Sequence, residues 1–379
     1  MDFSFNEEQE ELRSIARAFL EERADSEWVR KAMETDLGFD TGLWESISSE
    51  LGWTAVHIPE SYGGLGLGHV ELGSLMEIMG SQLLCSPFLS SVCLGANALL
   101  TAGSEAQKKE YLPQIAEGHL RTALAYSGES GLHGVDSITA VLRIEGDELV
   151  LDGSHGFVVD GHTADGLIVA ARAPGSVGAD GVSLVWVPGE SAGLTRESRP
   201  TLDQTRRLAQ VHLDAVRLPK SALLGEAGAA AAPLAGALAC AATALACEQV
   251  GGAQRCLDMA VAYSLERVQF GRPIGSFQSI KHKCADMMIA IECARSAAYY
   301  AACECDEQTS EMTLNASLAK ASASDTYFQC ASESLQIHGG VGFTWEYDVH
   351  LHFKRAKATE TLLGDPAWHR EKVAQFIGL

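Results

Sequence analysis

Apolar positions near the start of the chain fall at helical spacing. Phe5, Leu12, Ile15, Phe19 and Leu20 share one face of the opening segment, and ELGSLMEIMGSQLL (71–84) repeats the pattern. The stretch PESYGGLGLG (59–68) is turn chemistry, around which a hairpin of helices is expected to close. From about Thr122 the period shortens to β-rich runs, DELVLDG, HGFVVDG, DGLIVAAR, GVSLVWVP and QVHLDAVRLP, punctuated by Gly, Asp and Pro. Beyond Gly225 long Ala-rich helical stretches run to Leu379, with one marked loop, HGGVGFTWEYD (338–348). The pattern predicts an α+β chain with an N-terminal helical domain (1–121), a central antiparallel β domain (122–224) and a C-terminal domain like a four-helix bundle (225–379), with no internal repeat.

The run Ala227–Cys247 is long enough to raise the question of a membrane span, but it is mostly Ala with Gly and Pro and poor in bulky aliphatics. A buried helix is expected instead, thin enough at Gly251 and Gly252 for another helix or a flat ligand to come close. Charge narrows the partners. With 28 Lys and Arg against 50 Asp and Glu, the net value of -22 disfavours nucleic acid and anionic membrane surfaces, though not a local basic pocket. The acidic amphipathic start shows neither signal nor transit peptide features, and a cytoplasmic protein is expected. Ten cysteines without a CxxC pair suggest reduced, mostly buried thiols.

Within the uncharged run Ala227–Gln254 stands one carboxylate, Glu248. It is either half of a structural ion pair, for instance with Arg255 two turns along, or a general base made reactive by desolvation. Downstream, RVQFGRPIGSFQ offers Arg267 as a fork for phosphate oxygens, Phe270 as a stacking face and Gly271 as bare backbone, or merely a helix-capping turn. In LQIHGGVGFT, Gly339 and Gly340 allow a sharp turn with exposed amides, suited to a pyrophosphate or simply to a loop.

Taken in order, LGWTAVHIPESYGGLGLG, GSEAQKKEYLPQIAEGH, RVQFGRPIGSFQ and QIHGGVGF resemble the signatures of the acyl-CoA dehydrogenase family over nearly the whole chain. The resemblance implies FAD, a helix–sheet–helix subunit, oligomers, an electron-transfer flavoprotein as acceptor, and oxidation of an acyl-CoA thioester to the trans-2-enoyl-CoA. It implies that Arg267, Phe270, Gln278, Gln336, Gly339 and Gly340 reach the adenosine and pyrophosphate of a flavin held mainly by a neighbouring subunit. In that chemistry a carboxylate removes the α-proton while the β-hydrogen leaves as hydride to the flavin, with no protein metal.

The usual bases of the family are absent. ATETLLGDP places Leu363 where a Y-E-G-T segment carries its Glu, and the alternative helix position holds Ala241, followed by Ala242 in place of Arg. Glu248 lies seven residues after Ala241, about two helical turns along on nearly the same face. LACEQVG and LDQTRRLAQVHLDAV resemble an actinobacterial subgroup, many of whose members are associated with sterol side-chain breakdown and whose base sits in an A-x-E-x-x-G helix. The resemblance therefore makes Glu248 the expected base, with Glu360 in reserve, and the Ala-rich 229–246 run admits a wide cavity for a branched or ring-bearing acyl group, or tight helix packing.

In the sheet domain, Phe157 and Val159 stand at the family's W-x-T flavin contact, so a hydroxyl donor is lost. SGESGLHGVD keeps Glu129, Gly134 and Asp136 of the T-E-P-x-x-G-S-D loop but has Val135 for Ser, leaving backbone amides around Tyr126, Ser127 and Gly128 to bond the flavin edge. These losses raise a rival: a mainly structural subunit completing the flavin site of a paralogue in a heterotetramer rather than a homo-oligomer. An acyl-CoA oxidase that releases peroxide is a second rival. His338 is expected to be a loop hydrogen-bonder, Trp345, Tyr347 and Phe353 packing residues, and His350 with His352 lack a third metal ligand nearby.

Overall fold

The computed structural model describes residues 5–128 and 133–379. In chain order the helices and strands are α1 (Glu7–Arg23), α2 (Ser26–Glu34), α3 (Thr41–Glu45), α4 (His69–Ser81), α5 (Asn97–Ala102), α6 (Glu105–Ala116), β1 (Thr122–Ala125), β2 (Val141–Glu145), β3 (Glu148–Val159) and β4 (Gly166–Arg172). There follow β5 (Val182–Pro188), β6 (Leu194–Arg199), β7 (Leu208–Pro219), β8 (Leu223–Leu224), α7 (Ala231–Glu266), β9 (Val268–Gln269), β10 (Arg272–Pro273), α8 (Gln278–Glu307), α9 (Met312–His338), α10 (Val349–Thr361) and α11 (Pro366–Phe376). Helix, sheet, helix is the order along the chain. By packing, the chain divides into one unit of residues 1–34, 69–84 and 242–379, and another of 35–68 and 85–241.

The second unit is built on the sheet, with strand order β6-β7-β3-β2-β4-β5-β8 and β1 beside β4. Its ladders are mostly antiparallel, but β1 runs parallel to β4, pairing Thr122 with Gly166, so the sheet is mixed rather than wholly antiparallel. Alternate residues Leu149 and Leu151, Leu167 and Val169, Val185 and Val187, and Val211 and Leu213 face one core, as period-2 burial requires. On the opposite face of β5, Trp186 stacks on Tyr111 of α6 at 4.3 Å. A short 3-10 turn, Trp53–Ala55, stands between the helical segment 41–50 and the 59–68 turn, a second, Glu60–Tyr62, lies within that turn, and α4 follows it.

In the first unit the carboxyl-terminal part of α7 packs against α4 at backbone contact. A Cβ on Gly80 would meet the Glu248 carbonyl oxygen at 2.0 Å, and one on Gly251 the Glu77 carbonyl oxygen at 1.8 Å. Gly252 faces the ring of Tyr327 from α9 in the same way. Among 242–253 the small residues therefore serve helix packing. α7 is long and apolar enough to cross a bilayer by length and composition, yet most of its apolar window is buried by protein. All ten cysteines are free and most are buried, Cys293 being exposed.

Candidate functional site

Two groups of predicted residues lie at different places in the first unit. Glu248 sits mid-helix on α7, its side chain 4% exposed, and Arg355 of α10 donates to its Oε1 at 2.7 Å from a position 2% exposed. The anticipated helical partner, Arg255, is exposed and lines a polar cleft of about 310 Å³ with Glu21, Asp25 and Asp348. Sequence spacing found the buried acid but not its cation, because Arg355 is 107 residues away and reaches α7 only once the helices have packed.

The C-terminal end of α10 is fixed by a second buried cation. Lys320 of α9 donates to Ser324 Oγ at 2.8 Å and to the carbonyl oxygens of Thr359, Glu360 and Gly364 at 3.0, 3.3 and 3.1 Å, satisfying carbonyls that a helix end leaves over. Desolvation pulls its pKa down to about 7. Leu363, at the position where the resemblance expected an acid, is buried with φ +61, and its carbonyl oxygen is held by His369 Nε2 at 3.1 Å. Glu360, the reserve acid, pairs with Lys357 at 2.6 Å.

The other group gathers at one end of the bundle. Tyr263 near the end of α7 stacks on His338 at the end of α9 at 4.4 Å, which brings the Arg267–Gly271 hairpin and the Gly339 loop to the same end. His338 Nδ1 bonds the Ser334 carbonyl oxygen at 2.8 Å, a helix-end hydrogen bond, and burial lowers its pKa. Arg267 is exposed and makes no ion pair among the described residues. Phe270 is 93% exposed at φ +54, Gln278 and Gln336 are exposed, and a Cβ on Gly271, Gly339 or Gly340 would meet nothing within 4 Å. Gly339 adopts φ +62, ψ -141, a region reserved to glycine.

Trp345 is exposed rather than packed, with Lys354 Nζ 4.7 Å and Arg30 5.7 Å from its ring. Tyr347 is exposed too, while Phe353 packs on Phe328 at 5.5 Å. His352 is buried and bonded through Nδ1 to Tyr327 Oη at 2.9 Å.

In the sheet unit, Tyr126, Ser127 and Gly128 follow β1. Ser127 Oγ donates to the Gly156 carbonyl oxygen at 2.7 Å, and a Cβ on Gly128 would strike the Ser137 carbonyl oxygen. Phe157 stands out 54% exposed at φ +57, while Val159 is buried. Glu129 lies outside the described residues. Arg172, which sequence reasoning missed, donates to the carbonyl oxygens of Val135, Ile138, Ser176 and Gly178 and so ties the 134–138 segment to the turn after β4.

In the bundle unit, an unpaired guanidinium, bare glycine backbone and an exposed ring gather at one end, the chemistry that a phosphate-bearing ligand takes; in the sheet unit, taken by itself, a strained and exposed aromatic stands beside a pinned backbone segment. Comparison with known proteins gives the family. Residues 6–119 match the model of the acyl-CoA dehydrogenase N-terminal domain and residues 232–378 that of the acyl-CoA dehydrogenase C-terminal domain. Acyl-CoA dehydrogenase IpdE2 of Mycolicibacterium smegmatis is 35% identical over 95% of this chain and 96% of its own length. Among solved structures, a variant of the Tcur3481–Tcur3483 steroid ACAD is similar with a TM-score of 0.88 at 28% identity, covering 98% of each chain. The ChsE4–ChsE5 complex from Mycobacterium tuberculosis is similar with a TM-score of 0.89 at 25% identity, covering 100% of this chain and 99% of the other.

Proposed function

The chain belongs to the acyl-CoA dehydrogenase family and is an acyl-CoA dehydrogenase of that flavoprotein class, and we propose that it works as the flavin-completing subunit of a two-component enzyme that desaturates a bulky, sterol-derived acyl-CoA. The observation that carries the two-component reading is the Glu248–Arg355 pair. To accept an α-proton, Glu248 would become neutral while Arg355 stayed charged beside it in a dry interior, and breaking such a pair costs roughly 3–5 kcal/mol. The turn at Leu363 has the backbone strain of a functional position but an apolar side chain. The proton acceptor is then supplied by a paralogous subunit.

FAD bound in this assembly supplies the hydride acceptor. This chain's own residues would bind and orient: Arg267 and the Gly339–Gly340 backbone would hold phosphate oxygens of a flavin held mainly by a neighbouring subunit, with Phe270, Gln278 and Gln336 at its adenosine end, while on the sheet unit the Tyr126–Gly128 amides with Phe157 would border a flavin ring. Val159, being buried, acts through the strand. Two structural neighbours support the assembly and the substrate class, one a complex of two named proteins and one a steroid ACAD. Electron-transfer flavoprotein is the proposed acceptor.

A second reading keeps Glu248 as the base of a homo-oligomer, favoured by its place about two turns beyond Ala241 on α7. Expression decides between them. Purified alone, the chain is expected to be colourless or substoichiometric in FAD and inactive. Co-expressed with paralogous acyl-CoA dehydrogenases of the same genome, it is expected to yield a yellow complex that reduces an artificial acceptor with steroid-bearing CoA thioesters in preference to short or long straight chains. A yellow, active single chain would overturn the proposal, and peroxide release would replace the dehydrogenase by an oxidase.

A further inference from the structure

The segment Tyr126–Gly128 is gripped from β3. His155 is fully buried and its Nδ1 lies 2.9 Å from the Ser127 carbonyl oxygen. A carbonyl only accepts, so this bond forms in the tautomer that carries its hydrogen on Nδ1. Burial drives the imidazole pKa down to about 4, which keeps the ring neutral around physiological pH. The next residue completes the grip, since Gly156 accepts the hydrogen bond of Ser127 Oγ at 2.7 Å.

Directly after this grip, the pairing of β3 with β7 slips between His155 and Val158. In a regular strand residues 155 and 157 would share a face. The irregularity separates them, sending His155 into the core and Phe157 outward at φ +57. A non-glycine residue in that region is strained and persists only where its surroundings fix it. Arg172 anchors the neighbouring 134–138 segment independently, so loss of His155 acts locally.

We propose that His155 is a positioning residue for the flavin: without touching the cofactor, it sets the Tyr126–Gly128 backbone and, through the bulge, the Phe157 ring as one unit. This rests on the reading of those residues as the flavin edge. The test compares His155→Asn, whose amide N–H can take the place of Nδ1–H, with His155→Gln and His155→Leu, which cannot reach Ser127 in the same way. Amide hydrogen exchange at residues 126–128 is measured on flavin-free protein, and FAD affinity by quenching of flavin fluorescence on titration into the same chain, co-purified with its partner where the chain alone takes none.

His155→Gln and His155→Leu are expected to speed exchange at 126–128 and to weaken FAD at least tenfold, with a shifted flavin absorption band. His155→Asn is expected to stay within about threefold of wild type. Equal behaviour of the Asn and Gln variants in both measurements overturns the proposal, as does unchanged FAD affinity in the Gln variant. Should wild type take no FAD in either form, the flavin-edge reading fails, while the exchange comparison still decides whether His155 pins the segment.

Discussion

At the scale of single residues, the chain spends buried charge on structure. Glu248 and Arg355 are both taken out of water, and their attraction offsets that cost only while both remain charged. Glu248→Gln is therefore expected to lower stability by about 3–5 kcal/mol, whereas Glu248→Met combined with Arg355→Met, an apolar pair of similar bulk, recovers most of it. Chemical denaturation measures the stabilities, and turnover of the reconstituted complex measures the chemistry. Recovered stability with retained turnover supports a structural pair, and recovered stability with lost turnover makes Glu248 the base. Buried histidines add a pH dependence. Desolvation pulls the pKa of His352 to about 3 and that of His155 to about 4, against 6.5 in the unfolded chain. A depressed histidine pKa means that the unfolded state binds protons first, so this stability is complete above about pH 6.5 and is lost as pH falls toward 4. Two such groups give a slope approaching about 2.7 kcal/mol per pH unit. Denaturation midpoints between pH 7 and 4.5 check it, and His352→Phe is expected to remove about half of the slope.

At the scale of elements, local chemistry marked most boundaries, while long-range pairing stayed hidden. The apolar alternation of GVSLVWVP and DGLIVAAR announced β5 and β4 because period-2 burial is written into adjacent residues. The parallel pairing of β1 was not announced, since four small and apolar residues, TALA, carry no mark of which strand they join or in which direction. The bare glycines of the Gly339 loop were visible as residue types, but their openness depends on what packs nearby. Arg355 was invisible for the same reason as the bulge at Phe157: each acquires its meaning from a strand or helix distant in sequence. The Lys320 clasp belongs to this class, joining α9 to the end of α10 and the Leu363 turn. Lys320→Met leaves three carbonyls without their buried donor, at roughly 1–3 kcal/mol for each one not rescued by water. The expected result is a stability loss of about 3 kcal/mol or more, with faster amide exchange confined at first to residues 359–365. Unchanged exchange there would show that the helix end holds itself.

At the scale of the whole molecule, a net charge of -22 opposes close approach of copies, yet the end of the bundle carrying the Gly339 loop sets exposed cations beside exposed rings, with Glu266 and Glu346 the carboxylates among them. Arg267, Arg272, Lys281 and His282 are exposed there, with Phe270 93% and Phe343 70% exposed. Large exposed aromatics ringed by cations, on a chain otherwise rich in carboxylates, suit a surface that is covered in the working protein and shares an anionic ligand across the contact. Because neither ring contributes to the folded core, Phe270→Asp and Phe343→Asp are expected to leave the thermal midpoint of the isolated chain within a few degrees of wild type. In the proposed two-component complex the same changes would place an unpaired carboxylate against phosphate oxygens and a partner face. Native mass spectrometry is expected to show loss of the assembled species together with its flavin, and raising the salt concentration should weaken wild-type flavin binding in the same direction by screening Arg267. Intact complexes with full flavin in both aspartate variants would place the subunit contact elsewhere on the molecule.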